Sequence, residues 1–440
     1  MLEAPSFLIC REFPSSCEQE TMWIHNTFCV LELSKNKRPS EGEDLSSRKM
    51  LKTLEFHGRE KPSEDQDYLS VVPNENDNHH YAGDQSESSV LFNQLGRDVS
   101  INCLLHCSRS DYGAIASLNQ GFRSLIRSGE LYRLRRKMGI VEHWVYFSCN
   151  LLEWEAFDPI RRRWMQLPKM TSNECFMCSD KESLAVGMEL LVFGKEIMAP
   201  VIYKYSILTN TWSSGINMNT PRCLFGSASL GEIAILAGGC DPWGNILSSA
   251  ELYNADTGLW VNLPNMNKPR KMCSGVFMEG KFYVIGGIGE GNSKMLTCGE
   301  VYDLKTRMWH VIPNMFPGRN GEAGSTESST AAEAPPLVAV VNNDLYGADY
   351  AQKEVRRYIK EQNVWVTLGR LPERAFSMNG WGLAFKACGD RLIVLGGPRT
   401  LGGGMIEVNS WIPSDGAPQW NLLASKPLGS FVYNCAVMGC

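Results

Sequence analysis

Cysteine and histidine clusters are the residues of this sequence whose spacing could support metal chemistry. Cys175 and Cys178 form a C-x-x-C pair, but a zinc site normally needs a second ligand pair and none is suitably spaced. Cys103, His106 and Cys107 have helical spacing, which favours core or interface positions over a metal site. We therefore expect no metal site.

Signatures of nucleotide binding and catalysis are equally weak. The segment GGIGEG, 286–291, has the composition of a phosphate-binding loop, but it leads from one strand pattern into another instead of opening a helix. The sequence contains no G-x-S-x-G, H-E-x-x-H or P-loop motif. Two of its seven histidines are the adjacent His79 and His80. We therefore expect neither a cofactor nor bond chemistry.

Internal repetition is the strongest signal in the chain. Six tryptophans recur at intervals of 48, 48, 49, 56 and 55 residues, close to the roughly 50-residue period of one repeat family. An aromatic residue stands seven positions before five of these tryptophans, with turn-forming residues between them, as two short antiparallel strands require. Apolar runs that end in paired glycines precede several of these units. The tryptophans are Trp164, Trp212, Trp260, Trp309, Trp365 and Trp420, and the glycine pairs are 238–239, 286–287 and 396–397.

This pattern resembles the kelch repeat, in which four antiparallel strands form one blade of a propeller. The resemblance implies a mainly β fold, a six-bladed kelch β-propeller over residues 139–440. We expect the repeated tyrosines and tryptophans to pack between blades, because conspicuous aromatic residues are usually core.

A helical pattern precedes the repeats, with apolar residues at 3.6-type spacing over residues 89–138. The segment LFNQLGRDVSINCLLHCSRSDYGAIASLNQGFRSLIRSGELY resembles an F-box. The resemblance implies docking to a Skp-type adaptor and, through it, to a cullin complex. A helical bundle that only caps the next domain stays open as an alternative.

Two apolar stripes divide the helical segment. We expect one stripe to face the adaptor and the other to hold the helices together. The adaptor-binding residues are predicted to be Leu95, Ile101, Leu104 and Leu105, and the helix-holding residues are predicted to be Leu118, Phe122 and Ile126.

The first 88 residues are polar over most of their length and predict a disordered N-terminal arm, because they cannot bury enough apolar surface to offset the ordering entropy. Within it, KNKRP at 35–39 is either a nuclear address or a solvated charge cluster. The start lacks a basic n-region, and the fifteen cysteines show no regular framework, so we expect mostly free thiols and a nuclear or cytoplasmic protein. The net charge of −5 disfavours nucleic acid as a partner, and no apolar run is long enough to span a membrane.

The first repeat lacks an inner strand, whereas an apolar run follows the last tryptophan. The strand pattern WVYFSC, 144–149, follows the helical segment directly, and SFVYNCAVMG, 430–439, has no place in a sixth blade. We predict that residues 430–439 supply the inner strand of the first blade and so close the ring.

Strand alternation predicts where a client protein would bind. The loops after the glycine pairs and the loops after the tryptophan strands must share one face, because each antiparallel neighbour reverses the chain. An exposed tryptophan beside arginines has the composition of a binding hot spot. Alternatively, the arginines only pin neighbouring loops. The predicted client-binding residues are Arg222, Asp241, Trp243, Arg270, Glu290, Asn292 and Arg374.

The F-box/kelch resemblance implies a substrate-recognition subunit of a ubiquitin ligase. The adaptor would bind the helical segment, and an unknown client protein would bind the propeller. One alternative is a propeller scaffold that binds a protein or small ligand without a ligase. A propeller enzyme, the other alternative, would need converging Tyr, His and carboxylate or Cys groups on one face.

Overall fold

The computed structural model describes most of the chain from Gly96 onward. The predicted arm, 1–88, and the predicted site residues Leu95, Asn292 and Arg374 lie outside the described residues. The described residues are 96–150, 152–178, 181–197, 199–290, 295–317, 333–373, 375, 377, 379–396, 399–400, 403–414, 416–428, 432 and 434–440.

A small helical unit comes first in the described chain, as predicted. The Asn119 side chain accepts a hydrogen bond from the backbone N–H of Phe122, 2.8 Å away, and so caps the third α-helix. Gly129 takes the left-handed conformation (φ 74°) that turns the chain into the fourth helix. The helices are α1 (Arg97–Leu105), a 3-10 turn (Arg109–Asp111), α2 (Tyr112–Leu118), α3 (Gln120–Arg127) and α4 (Glu130–Lys137).

Six antiparallel sheets follow and form the blades of a propeller, so the predicted fold is confirmed. Blade 1 contains β1 (His143–Asn150), β2 (Glu153–Asp158) and β3 (Arg163–Gln166), and blade 2 contains β4 (Phe176–Met177), β5 (Ser183–Val186), β6 (Glu189–Glu196), β7 (Ala199–Ser206) and β8 (Thr211–Ser214). Blade 3 contains β9 (Gly226–Leu230), β10 (Ile233–Ala237), β11 (Ala250–Asn254) and β12 (Leu259–Leu263), and blade 4 contains β13 (Ser274–Met278), β14 (Lys281–Ile285), β15 (Gly299–Asp303) and β16 (Met308–Ile312). Blade 5 contains β17 (Leu337–Val341), β18 (Asp344–Asp349), β19 (Glu354–Ile359) and β20 (Val364–Arg370), and blade 6 contains β21 (Ala384–Cys388), β22 (Arg391–Gly396), β23 (Arg399–Thr400), β24 (Gly403–Trp411) and β25 (Asn421–Leu428). The chain then ends with β26 (Asn434–Gly439).

Strand β26 closes the ring. It pairs antiparallel with β1, with Tyr146 opposite Ala436 and His143 opposite Gly439, and it stands as the inner strand of blade 1. The prediction that the C-terminal strand completes blade 1 is therefore confirmed. The pairing covers one edge of β1 and one edge of β26, which would otherwise be unpaired.

The repeated tryptophans join neighbouring blades, as expected. The indole N–H of Trp260 donates to the Ile216 carbonyl in the segment after blade 2, and that of Trp309 donates to Pro264 after blade 3, both at 2.8 Å. Within its own blade, the Trp260 ring lies 4.9 Å from the Tyr253 ring, centroid to centroid. The repeat thus encodes contacts between blades as well as the blade itself.

The six inner strands surround an axial channel. Small residues such as Ser227, Ala228 and Gly275 line it, and its cavity volume is about 270 Å³. These residues let the inner strands approach closely, so the channel is narrow.

Candidate functional site

The propeller has two ends with different surfaces. One end carries the turns between the first and second strands and between the third and fourth strands of each blade; we call it the helix face because the helical unit packs there. The other end, the loop face, carries the loops between second and third strands and the segments that join blades. On the loop face of blade 3, the Gly239 N–H donates to the Arg270 carbonyl at 2.8 Å, which links a glycine-pair loop to the next blade-joining segment. The predicted sharing of one face by these two loop sets is thus confirmed.

A buried arginine anchors the helical unit to blade 1. The guanidinium of Arg109 lies 4.3 Å from the centroid of the Trp144 ring and donates to the Tyr146 hydroxyl. It also lies 3.0 Å from Cys440 Sγ, next to the closing strand β26. Burial raises the pKa of the Tyr146 phenol, so that hydroxyl stays neutral and can accept the hydrogen bond.

Glu142 links the helices to the same corner of the propeller. Its carboxylate accepts from the backbone N–H of Arg109 at 3.2 Å and from the guanidinium of Arg135 at 2.7 Å. Its backbone pairs with Cys440 in both directions, at 3.0 and 3.2 Å. Arg136 on α4 also forms an ion pair with Glu232 in a blade 3 turn. The helical unit is therefore fixed to blades 1 and 3.

The predicted adaptor-binding residues need correction. Ile101, Leu104 and Leu105 are buried, with at most 7% of each residue exposed, in a cluster that also contains Trp144 and Tyr146 of the propeller. They cannot face a partner without unpacking the helical unit, because their apolar stripe packs inside the protein. Leu95 lies outside the described residues.

The predicted helix-holding stripe is also partly wrong. Phe122 and Ile126 are buried, but Leu118 is 71% exposed at the end of α2. Val99 on α1 is 50% exposed. Val99, which the sequence pattern did not indicate, and Leu118, which was predicted to hold the helices together, are thus the large apolar side chains that α1 and α2 present to solvent.

On the loop face, Trp243 stands at the tip of a hairpin. It is 71% exposed. The Asp241 carboxylate fixes the tip by accepting from the backbone N–H groups of Trp243 and Asn245, at 3.0 and 2.9 Å. The structure therefore holds a large aromatic side chain in solvent on a rigid turn. Glu290 is exposed on the same face, in the equivalent loop of blade 4.

The two described arginines predicted for the client face are buried. Arg270 is 0% exposed, forms a 2.7 Å ion pair with Glu300 and donates to the carbonyls of Gly286 and Cys298. Arg222 makes the same arrangement in blade 3, with a 2.6 Å ion pair to Glu251. Their placement on a binding surface is wrong, and the alternative that they pin loops describes their geometry.

A sequence signal for these ion pairs was present. The arginine of each PR pair, in PRCLFG and PRKMCSG, is followed 29 or 30 residues later by the glutamate of AELY or GEVY. Two copies of the same Arg–Glu spacing indicate a repeated internal contact, whereas a binding surface has no reason to repeat with the blades.

A propeller built from repeated blades, a helical unit on one face and an ordered loop hairpin on the other define a repeat-built interaction protein. Two segments, 221–267 and 269–316, match the family model for the Kelch motif. The F-box/kelch-repeat protein At1g74510 of Arabidopsis thaliana is 61% identical over 100% of both chains. The F-box/kelch-repeat protein SKIP11, from the same plant, is 69% identical over 83% of this chain and 78% of its own. F-box/kelch-repeat protein At1g26930 is 63% identical over 81% of this chain and 85% of its own.

The chain belongs to the F-box/kelch-repeat family. Membership supports the general role of an F-box protein. Within the described part of the chain, no cluster of three or more His, Cys, Asp or Glu side chains could hold a metal ion. In that same part, every helix is too short or too polar to cross a membrane.

Proposed function

We propose that this protein is the substrate-recognition subunit of a Skp-cullin-F-box ubiquitin ligase. The helical unit binds the Skp-type adaptor, the propeller binds a client protein, and the chain performs no bond chemistry itself. The observation that carries the proposal is the arrangement of the two ends: the helical unit is anchored on the helix face, while Trp243 is exposed on the opposite loop face. Two partners can therefore bind at the same time. The protein would act in the nucleus, the cytoplasm or both.

The adaptor surface follows from exposure. Val99 and Leu118 are half or more exposed on α1 and α2, and exposed apolar side chains on a helical unit are suited to a protein interface. We therefore assign adaptor contact to Val99 and Leu118 in place of Ile101, Leu104 and Leu105.

Capture of a Skp-type adaptor by the purified full-length chain tests this assignment. Val99→Asp combined with Leu118→Asp is expected to abolish capture while the melting temperature changes little, because both side chains are exposed. Leu104→Ala combined with Leu105→Ala is the matched control, and it is expected to lower the melting temperature because it creates cavities in the core. Full capture by the aspartate variant, with normal melting, would contradict the assignment.

Client capture tests the other end. Trp243→Ala is expected to reduce the set of proteins captured with proteasome inhibition while adaptor capture persists, because the two faces lie at opposite ends of the propeller. Phe157→Leu in the propeller core serves as a control for general loss of stability. If Trp243→Ala keeps every client and changes in the helix-face turns remove them, the client face is the opposite one.

The axial channel favours one alternative, a propeller that holds a small ligand without a ligase. Its volume of about 270 Å³ is close to the lower end of small-molecule pockets, roughly 300 Å³. A chain that binds no Skp-type adaptor but is stabilised by a small molecule would support this alternative.

A further inference from the structure

Two cysteines face each other at the base of the Trp243 hairpin. Cys223 lies in the segment that enters blade 3, and Cys240 directly follows the glycine pair of the same blade. Their Sγ atoms are 3.5 Å apart. Cys223 is partly exposed, whereas Cys240 is buried.

The backbone places these cysteines in disulfide range. The two residues exchange both N–H···O bonds, at 3.0 and 2.8 Å, as a hydrogen-bonded antiparallel pair does. Such pairs have Cα atoms about 5.5 Å apart, inside the range of about 4.4–6.8 Å found for disulfides. Rotation of the two side chains can therefore bring the sulfurs to bonding distance without moving the strands.

The propeller itself does not require cysteines at these positions. In blade 4 the equivalent bridge joins Lys271 and Ile288, with hydrogen bonds of 3.0 and 2.7 Å. The same ladder thus forms with an unreactive pair, so the scaffold alone does not account for two thiols in blade 3.

The surroundings make the two thiols of the pair unequal in acidity. The hydrogen bond from Cys223 lowers the pKa of the Cys240 thiol; burial opposes this effect, and the nearby Lys271 ammonium adds to it. The same hydrogen bond, followed by burial, raises the pKa of the Cys223 thiol. The shared hydrogen bond therefore favours loss of the proton from Cys240 over loss of the proton from Cys223.

We infer that Cys223 and Cys240 form a peroxide-responsive, reversible disulfide that clamps the base of the Trp243 hairpin. A thiolate of the pair attacks one oxygen of hydrogen peroxide, the O–O bond breaks, and the sulfur becomes a sulfenic acid while the hydroxide takes up a proton as water. The second sulfur then attacks the sulfenic sulfur, forms the S–S bond and displaces hydroxide, which leaves as a second water. Two thiols and one peroxide thus give one disulfide and two waters, and an external dithiol reduces the disulfide back to two thiols while the dithiol itself becomes a disulfide.

Mass spectrometry of the full chain tests the bond. The protein is treated with hydrogen peroxide, alkylated and cleaved with trypsin and a glutamate-specific protease, which cuts after Arg222, Glu232 and Glu251 and so separates the two cysteines. We expect the two peptides to be joined only after peroxide and to part after dithiothreitol. Cys223→Ser and Cys240→Ser should each remove the linkage, and Cys175→Ser, which removes an exposed thiol elsewhere, should not.

Hydrogen exchange tests the clamp. Amide exchange over residues 241–246 is expected to slow severalfold on oxidation of the native chain. It should be insensitive to peroxide in the double variant Cys223→Lys with Cys240→Ile, which copies the blade 4 pair and so keeps the ladder. Cysteines that stay alkylatable, or that become sulfinic acids without a linkage, would overturn the proposal, as would a disulfide that leaves hairpin exchange unchanged.

Discussion

At the scale of single residues, the buried Arg270–Glu300 pair joins the segment that enters blade 4 to strand β15 of the same blade. Arg270→Ala is expected to lower the free energy of unfolding by about 3–5 kcal/mol, because it leaves the buried Glu300 carboxylate without its cation. Trp243→Ala should change that free energy by no more than about 0.5 kcal/mol, because the side chain is exposed. Denaturation in urea measures both.

Blade 3 supplies the check on this prediction. Arg222→Ala should cost a similar amount, since its ion pair with Glu251 is equally buried. If both arginine variants unfold like the parent but lose clients, the arginines belong to the binding surface after all.

His143 at the ring closure makes stability depend on pH. Burial, followed by the nearby Arg109 cation, lowers its pKa below the ordinary value of 6.5, with a smaller opposing effect from Asp390. The folded state therefore binds fewer protons than the unfolded chain below about pH 6.5, so stability is full above that pH and falls as the medium becomes more acid. In the His143→Gln variant, the melting temperature should depend less on pH between about pH 6.5 and pH 5. An unchanged slope in this variant would assign the acid sensitivity to other groups.

At the scale of elements, β26 carries the ring closure. Deleting residues 430–440 should abolish the single cooperative unfolding transition and reduce solubility, because it exposes the edge of β1 and removes the core residues Ala436 and Met438. Calorimetry and sedimentation measure both effects. A truncated chain that melts like the parent would show that blade 1 is stable with three strands.

The sequence predicted the strands well and the buried side of the helices poorly, for different reasons. Five of the six blades repeat the spacing between an aromatic residue and a tryptophan, so one copy supports another. The helical unit occurs once. The pattern of its apolar residues Leu104 and Leu105 predicted a surface for another protein, but these residues pack in a core that includes the propeller of the same chain. An apolar stripe indicates that a face is covered and does not indicate by what.

The same limit applies to the predicted client-binding residues. Alternation of strand direction placed the correct loops together, because it depends only on topology. It could not distinguish the exposed Trp243 from the buried Arg270, because both stand in loops and only the three-dimensional packing separates them.

At the scale of the whole molecule, the helical unit and the propeller share one core through Arg109. Arg109→Ala is expected to cost roughly 2 kcal/mol or more, since a desolvated cation–π contact and a buried hydrogen bond are lost. Because the lost contacts join the two parts, the variant should show helix melting before propeller melting. Circular dichroism and tryptophan fluorescence follow the two separately.

Arg161→Ala is the control for this variant. Arg161 also reaches Glu142, at 3.3 Å, but its side chain is 35% exposed, so its loss should cost no more than about 1 kcal/mol. Coincident transitions in the Arg109 variant would show that the remaining contacts are enough to couple the parts.

Ring closure also sets an order of events during synthesis. Strand β26 follows every other propeller strand in the chain, and its residues, with Cys440, form part of the surface on which the helical unit packs. A nascent chain on the ribosome can therefore form its helices and five complete blades and still lack part of the surface on which the helical unit packs. The helical unit reaches its final orientation on the propeller only once the last propeller strand has left the exit tunnel, so an incomplete chain cannot present the helical unit and the Trp243 hairpin in their final arrangement.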